Sequence, residues 1–312
     1  MAGTTASAAG LQPVAARRTR AEGASRGRRA AIWLALVVGL FALWTLVKAL
    51  GGVPWRPIGA GPGSEMIWNP PFRWDFANDL NLPHWWNIAA TLVAPVQRGA
   101  DETLLQYLAG AAFYTWREAA LGFLVGALLG LVLATIFVHN RLLERALVPY
   151  VVASQTIPIV ALAPMIVFAF GPSVTSVVII ATYLTFFPVT IAMIRGLRSP
   201  DPRALELMRS YAASTREVFW KVRLPASLPY LFTALKIAAT ASIVGAIIGE
   251  GPGGVPDGLG RAIINFNQYY ITGPEKLWGA ILVSALVGIV FFMIVRLVEL
   301  AVLRGRPGAA EG

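Results

Sequence analysis

The chain has 312 residues, of which 56% are hydrophobic and only 13% are charged. This composition lies far from that of soluble globular proteins and indicates an integral membrane protein. The chain contains no cysteine, which excludes disulfides and thiolate metal sites, and its two histidines are His84 and His139. We therefore expect neither a metal site nor a histidine-based catalytic centre.

Six apolar stretches have the length of a bilayer crossing. They cover residues 30–50, 119–138, 149–170, 174–194, 228–249 and 277–295. With six spans, the short loops rich in arginine and lysine all fall on one side of the membrane, and the positive-inside rule identifies that side as the cytoplasm. Both termini are then expected in the cytoplasm. The net charge of +10 is thus interpreted as a topology signal rather than as a nucleic-acid site.

The two ends of the chain are predicted to be cytoplasmic tails. Residues 1–29 are rich in Ala, Gly, Arg and Thr, which predicts a disordered basic tail, and residues 301–312 form the second tail. A cleaved signal peptide is the alternative for the N-terminus. The apolar run 30–50 is longer than a typical signal-peptide core, however, and no small-residue cleavage site follows it before Pro54. We therefore expect a retained first transmembrane helix.

The segment between the first two spans, residues 51–117, is rich in tryptophan and proline. Tryptophan rings settle at the level of the lipid headgroups, so this segment is predicted to lie on the outer face of the membrane. Within it, residues 85–96 are apolar but too few to cross a bilayer, and Pro95 interrupts them, which favours an interfacial or re-entrant helix. A docking surface or an aromatic ligand site is the alternative interpretation of these tryptophans.

Polar residues and prolines in the third span mark candidate positions on a translocation pathway. Gln155 and Thr156 are polar within hydrocarbon, and Pro158 and Pro164 each remove a backbone hydrogen bond. This helix is therefore predicted to be kinked and to face protein or water. Hydrogen bonding between helices is an equally ordinary role for such residues.

Two ionisable residues belong to the fifth span and its outer end. Lys236 is predicted to extend towards the cytoplasmic side, as lysines near helix ends do. Glu250 is expected in the external mouth of the pathway. The glycine-rich stretch 249–263 that follows contains no G-x-x-x-x-G-K-[ST] pattern, and none occurs elsewhere in the chain, so we expect no ATPase site here.

A pair of short helices is predicted within the cytoplasmic loop 195–226. The first helix has Asp201 as its N-cap and Pro202 at its first position, where the missing N–H of proline costs nothing, and it runs to about Tyr211.

The second helix of the pair begins with an S-x-x-E capping box formed by Ser214 and Glu217, and it is predicted to end before Leu224-Pro225. Apolar residues at helical spacing line one side of each helix. An amphipathic pair that protrudes between two spans fits a groove in a partner protein. A loop lying on anionic lipid is the alternative.

The spacing in this loop resembles the EAA signature, E-A-A-x3-G-x9-I-x-L-P, of the permeases of binding-protein-dependent ABC importers. The positions that align with the signature, or that lie within it as candidate contacts, are Glu206, Leu207, Met208, Arg209, Ala212, Ala213, Val222, Leu224 and Pro225. Similar stretches occur in order along residues 105–300. Ala212 replaces the motif glycine, and alanine disfavours positive φ, so Ala212 carries a steric cost or the break moves to Ala213-Ser214. We expect a gentler bend.

The resemblance implies an all-α, polytopic fold of the type I ABC importer permeases, with about six transmembrane helices and residues 118–300 as the permease core. It implies that loop 195–226 binds in a cleft of a cytoplasmic ATPase subunit, which uses ATP and Mg, while this chain binds no cofactor. The other expected partners are an extracytoplasmic solute-binding protein and a second copy of the chain in a two-fold homodimer, although a paralogous partner would serve as well. The expected location is the bacterial cell (inner) membrane.

The resemblance says less about the transported solute than about the role of the chain as a permease. The chain resembles the branch that imports alkanesulfonates, taurine, nitrate, thiamine precursors and riboflavin, and within it most resembles permeases for riboflavin or related heterocyclic vitamins. Alkanesulfonate, taurine or nitrate is the alternative. An ATP-independent channel or secondary transporter would need ionisable residues paired at the bilayer midplane, and only Lys236 approaches that description. A membrane-embedded enzyme would need a convergent acid-base or metal cluster, and the charged residues do not converge on one.

Overall fold

The computed structural model describes residues 14–57, 65–97, 99–251 and 255–304. These residues are almost entirely helical, with two isolated β-bridges and no strand among them. The helices are α1 (Val14–Gly51), α2 (Trp85–Val93), α3 (Leu104–His139), α4 (Arg141–Ser154), α5 (Ile159–Phe170), α6 (Val174–Leu197), α7 (Pro202–Ser210), α8 (Thr215–Val218), α9 (Leu224–Glu250), α10 (Leu259–Gln268) and α11 (Pro274–Leu303).

The all-α, polytopic architecture expected from the sequence is confirmed. In the described part of the chain, five helices are long and apolar enough to cross a membrane, and there are six candidate spans if the bent pair of α4 and α5 counts as one. The chain divides into two compact units, Met1–His84 and Trp85–Gly312.

The first unit contains α1 and the tryptophan-rich segment that follows it. Residues 14–29, which were predicted to be disordered, belong to α1, because alanine and arginine are strong helix formers and the apolar run 31–51 propagates the helix. Residues 1–13 lie outside the described part of the chain. The segment folds back onto the end of α1, where Trp68 Nε1 donates to the carbonyl of Ala49 at 2.9 Å and Trp74 N donates to Gly51 O at 2.7 Å.

The second unit is built around α3, α6 and α9. Glycines of α3 at every fourth position, Gly122, Gly126 and Gly130, let α6 approach closely, since a Cβ at Gly126 would lie 2.6 Å from Cβ of Thr185. Small residues at this spacing are typical of close contacts between membrane helices.

Helix α3 begins at Leu104 and therefore extends the predicted second span, 119–138, towards the N-terminus. A capping box formed by Thr103 and Gln106 fixes this start: Gln106 N donates to Thr103 Oγ1 at 3.3 Å, and Thr103 N donates to Gln106 Oε1 at 2.9 Å. The predicted short helix over 85–96 is α2, which ends two residues before Pro95.

The third predicted span is broken. Helices α4 and α5 meet at 97° across residues 155–158, so the predicted kink is confirmed but the single crossing 149–170 is not. Pro158 is the N-cap of α5 with extended backbone, as expected of a residue that cannot donate to a helical ladder.

Candidate functional site

Helix α7 has the start predicted from the sequence. The carboxylate of Asp201 accepts a hydrogen bond from Arg203 N at 2.9 Å, and Pro202 is the first helical residue. An aspartate at this position satisfies one of the free N–H groups of the first turn and also complements the helix dipole. The predicted N-cap and proline position are both confirmed.

The turn after α7 is a Schellman motif that has alanine at the position usually held by glycine. Ala213 N donates to Met208 O at 3.0 Å, and Ala212 N donates to Arg209 O at 2.9 Å. Ala212 has φ of +52°, in the left-handed region. Alanine takes this conformation at a cost of about 1–2 kcal/mol. The expectation of a gentler bend is therefore wrong, because the two hydrogen bonds hold the sharp turn in spite of the steric cost.

The predicted capping box of the second helix is confirmed. Glu217 N donates to Ser214 Oγ at 3.3 Å, and Ser214 N donates to Glu217 Oε2 at 3.0 Å. The predicted end before Leu224-Pro225 is wrong, since α8 continues through a π-helical turn, Phe219–Arg223, directly into α9. Pro225 lacks an N–H and interrupts the regular ladder, and π turns are inserted at such interruptions.

The segment from Asp201 to Arg223, called the α7–α8 segment below, has an unusually apolar exposed face. Leu207 is 57% exposed and Tyr211 is 77% exposed, one helical turn apart. The charged side chains of Glu206 and Arg209 are exposed beside them. Large apolar side chains grouped with charges in this way are typical of a surface that another protein covers.

The C-terminal end of the α7–α8 segment, which contains Phe219 and Arg223, contacts several of the long helices. Arg223 Nη1 donates to Leu197 O at the end of α6, at 3.1 Å. The ring of Phe219 lies 5.5 Å from that of His139 at the end of α3. The segment is thus joined to α3, α6 and α9, and a force applied to it would be transmitted to all three.

An ion pair lies close to the same end of the unit. Arg198, the residue that follows α6, pairs with Glu144 of α4 at 2.5 Å. This contact adds α4, one arm of the broken span, to the set of helices that meet near the α7–α8 segment.

The candidate pathway residues of the broken span have different environments. The amide nitrogen of Gln155 is buried without a hydrogen-bond partner among the described residues, whereas Thr156 is exposed and donates to Ala153 O at 2.7 Å. Pro158 is exposed at the bend, and Pro164 lies within α5.

The two ionisable pathway candidates differ from their predicted placements. Lys236 does not extend freely to the membrane surface but pairs with Glu299 of α11 at 2.8 Å, which neutralises its charge within the unit. Glu250 is fully buried rather than at an open mouth, and its Oε2 accepts from Gly260 N at 2.7 Å. Both residues belong to α9, but Lys236 is held by α11 and Glu250 by α10.

Glu118 is a buried carboxyl group that the sequence reasoning overlooked. It is fully buried in α3 and interacts with Glu250 of α9. A charged residue inside an apolar helix is itself a signal of function. The signal was missed because the second span was started one residue later, at 119.

An open cavity of about 880 Å³ lies beside α10, at the ends of α3 and α11. Its wall includes the aromatic rings of Tyr107 and Phe266 and the amide side chains of Asn265 and Gln268. Lys276 Nζ donates to Val96 O at 2.8 Å and closes one side. Among the described residues there is no group of three His, Asp or Glu side chains that could hold a metal ion.

A family model described as "Binding-protein-dependent transport system inner membrane component" matches residues 126–304, more than half of the chain. The chain belongs to this family. The permease is therefore a membrane transport subunit of the ABC importer class, whose ATPase and solute-binding protein are in general separate partners. The match begins within α3 and includes the whole α7–α8 segment.

Three relatives agree with this assignment. The permease is 35% identical over 200 residues to the formylaminopyrimidine transport permease protein ThiX of Halalkalibacterium halodurans, which covers 62% of this chain and 78% of that protein. It is 33% identical to the riboflavin transport system permease protein RibX of Chloroflexus aurantiacus, over 53% of this chain and 61% of that protein. It is 30% identical to the putative aliphatic sulfonates transport permease protein SsuC of Bacillus subtilis, over 61% and 67% of the two chains.

A solved structure shows the same fold. The permease superposes on a chain of an amino acid ABC transporter solved with histidines, with a TM-score of 0.52, covering 62% of this chain and 94% of that chain. The sequence identity is 16%, so this likeness concerns the fold.

Proposed function

We propose that the permease imports a small organic solute by coupling to a cytoplasmic ATPase through the α7–α8 segment. The observation that carries this proposal is the exposed pair of Leu207 and Tyr211 on a helix whose two ends are both capped. A capped helix keeps its shape under load, and an exposed apolar face flanked by charges fits a cleft in a partner.

The residues of the proposed contact have distinct roles. Glu206 and Arg209 form polar contacts with the ATPase beside the apolar anchor, and Leu207 and Met208 lie within the docked helix. Ala212 and Ala213 fix the turn to the second helix. Val222, Leu224 and Pro225 connect that turn to α9, so that movement of the ATPase reaches the membrane helices.

The source of energy lies in the partner. The ATPase subunit binds ATP and Mg, and this chain binds no cofactor. Closure of two ATPase subunits would draw two α7–α8 segments together. This movement changes the side of the membrane to which the pathway is open only if each segment is rigidly joined to its helices. Its connections to α3, α6 and α9 supply that rigidity.

We propose a two-fold homodimer in the bacterial inner membrane, with both termini in the cytoplasm. The pathway then runs between the two copies, past the broken span with Gln155, Thr156, Pro158 and Pro164. Lys236 and Glu250 stabilise the helices beside it. An extracytoplasmic solute-binding protein delivers the solute to the opposite face from the ATPase.

The proposed solute is riboflavin or a related heterocyclic vitamin or precursor. Two of the relatives described above are named for a pyrimidine and for riboflavin. Aromatic and amide side chains line the cavity beside α10, and such groups hold flat heterocycles by stacking and hydrogen bonding. An alkanesulfonate, taurine or nitrate is the alternative, because relatives named for these solutes also match.

Uptake into proteoliposomes tests the proposal. The vesicles hold the permease with its ATPase subunit and its solute-binding protein. Labelled riboflavin, formylaminopyrimidine, an alkanesulfonate, taurine and nitrate are offered in turn. We expect ATP-dependent accumulation of a heterocycle and its loss in Glu206→Ala. Accumulation of a sulfonate or nitrate would show that this anion, and not a heterocycle, is the solute. Uptake that needs no ATP would contradict the coupling role.

A further inference from the structure

The first turn of α10 is held by side chains from two other helices. Its N-cap is Gly258, which has no side chain to accept from the first N–H groups. Leu259 N instead donates to Thr115 Oγ1 of α3 at 2.8 Å, and Gly260 N donates to Glu250 Oε2 of α9 at 2.7 Å. Both contacts are buried, so α10 is fixed to the unit through its N-terminus.

Glycine at position 258 is required by the approach of Glu250. Gly258 has φ of +103°, and a Cβ there would lie 2.3 Å from the carboxyl carbon of Glu250. The backbone just before α10 thus lies too close to this carboxyl group for a side chain to fit at position 258. Such a close approach is typical of a bound anion at a helix N-terminus.

Glu118 brings a second carboxyl group to the same place. Both glutamates are fully buried, and they interact with each other. Both oxygens of Glu118 and Oε1 of Glu250 are buried without a hydrogen bond of good geometry among the described residues, although the Tyr114 hydroxyl interacts with Glu118. A carboxylate can only accept hydrogen bonds, so two ionised groups in contact would repel each other and leave these three oxygens unsatisfied.

Other charged and titratable groups lie on the surrounding elements. They are Tyr107, Tyr114, Arg117 and His139 of α3, Tyr183 and Arg195 of α6, Tyr230 and Lys236 of α9, Asp257 before α10, Arg261 of α10, and Glu275, Lys276, Arg296 and Glu299 of α11. Arg117 interacts with Glu118, but its side chain is exposed and is not enclosed with the two carboxyl groups. Asp257 adds negative charge to the surroundings, and Lys236 is already paired with Glu299.

We propose that Glu118 and Glu250 bind one proton between them and that this proton holds the N-terminus of α10 against α3 and α9. The protonated carboxyl group of Glu118 donates to Glu250, which stays ionised and accepts from Gly260. The proton supplies the missing donor and removes one of the two buried charges. The described residues include no group of three His, Asp or Glu side chains here that could hold a metal ion.

The inference concerns the permease itself and does not depend on the identity of its solute or its ATPase. Loss of the proton would leave two buried negative charges in contact, and relief of their repulsion requires α10 or α3 to move. The attachment of α10 is therefore linked to pH. Since α10 also borders the 880 Å³ cavity, the same proton would control the shape of that cavity.

Hydrogen exchange of the α10 amides in nanodiscs tests the proposal on the permease alone. Rates are compared between about pH 6 and about pH 9 after correction for intrinsic exchange. We expect protection of the Leu259 and Gly260 amides in the wild type to fall at least about tenfold over this range. A tenfold fall is the change that one pH unit produces when opening of the helix releases one proton.

Two variants separate the proton from ordinary packing. Glu118→Gln keeps a donor beside Glu250 at every pH, so its protection should not change with pH. Thr115→Val removes the acceptor of Leu259 N, so protection should be lower at every pH while its pH dependence remains. A pH-independent wild type, or equal pH dependence in Glu118→Gln, would overturn the proposal.

Two further outcomes are decisive. If protection at fixed pH follows the concentration of sodium, potassium or calcium, a cation and not a proton occupies the site, and the proposal is wrong. If Glu118→Gln does not fold, infrared spectra of the wild type decide, because a shared proton requires the C=O stretch of a buried protonated carboxyl group that is lost as the pH is raised. Absence of that band would refute the shared proton.

Discussion

The ammonium group of Lys236 on α9 lies 2.8 Å from a carboxylate oxygen of Glu299 on α11, with the two side chains 23% and 17% exposed. The pair ties α11 to α9, one of the three helices around which the second unit is built. A lysine in an apolar helix is thereby neutralised within the chain, so it does not require a pathway role to explain its presence.

Removal of one partner of this pair should destabilise the permease. Glu299→Gln leaves the Lys236 charge without its counter-ion, and we expect the free energy of unfolding to fall by about 1–3 kcal/mol. The double variant Lys236→Met, Glu299→Leu should recover most of this loss, because no charge remains to be satisfied. Unfolding by SDS in mixed micelles measures both. A double variant as unstable as the single one would show that the pair is not the cause.

The turn at Ala212 should be improved by glycine. Ala212→Gly removes the steric cost of positive φ but increases the entropy of the unfolded chain, so the expected net stabilisation is about 0.5–1 kcal/mol. Ala213→Gly is the matched control, since φ of Ala213 is not positive, and it should destabilise. Stability of the two variants in the same unfolding assay decides. Equal effects at the two positions would argue against strain at Ala212.

The glycines of α3 should not be interchangeable. Gly126→Ala places a methyl group within 2.6 Å of Thr185 Cβ and should cost about 1–3 kcal/mol through overpacking. Gly110→Ala, in the same helix, meets nothing within 4 Å and should be neutral or stabilise by up to about 1 kcal/mol. Thermal unfolding in detergent compares them. A tolerated Gly126→Ala would mean that α3 and α6 do not pack closely here.

His84 should remain neutral well below neutral pH. Its burial, and then the nearby charge of Lys48, lower its pKa from 6.5 to about 4, while Asp79 acts in the opposite direction. Because the unfolded chain binds this proton at higher pH, the contribution of neutral His84 to the stability of the first unit is fully present above about pH 6.5 and is lost progressively as the pH falls towards about 4.

Histidine NMR measures the pKa of His84 directly, because the chain has only two histidines. His139→Gln assigns the two resonances, and the remaining His84 signal should titrate near pH 4. Limited proteolysis of the tryptophan-rich segment should accelerate over the same pH range. Titration of His84 near its ordinary pKa of about 6.5 would contradict its burial.

Local signals allowed the α7–α8 segment to be predicted well. Asp201, Ser214 and Glu217 act on backbone groups within three residues of themselves, so their roles can be inferred from spacing alone. The start of α3 could have been inferred in the same way from Thr103 and Gln106, which form the same kind of box. The continuation of α8 through Pro225 could not, because it depends on packing of the whole helix.

Contacts between residues that are far apart in the chain could not be predicted from the sequence. Lys236 and Glu299 are 63 positions apart, and nothing in either local pattern selects the other. The same holds for Glu118 and Glu250, which are joined only when α3 and α9 pack. Each residue could be singled out as a charge in an apolar helix, but its partner depends on the tertiary fold.

The central claim, that the α7–α8 segment docks an ATPase, is tested most directly by site-specific crosslinking. The chain has no cysteine, so Leu207→Cys gives a single thiol on the proposed docking face, and Tyr269→Cys, at a residue 69% exposed after α10, is the matched control. Both are labelled with a short photoreactive group and mixed with the ATPase subunit. If the segment docks the ATPase, position 207 gives a crosslinked permease–ATPase product and position 269 gives none. Crosslinking from 269 alone, or equal yields from both, would contradict it.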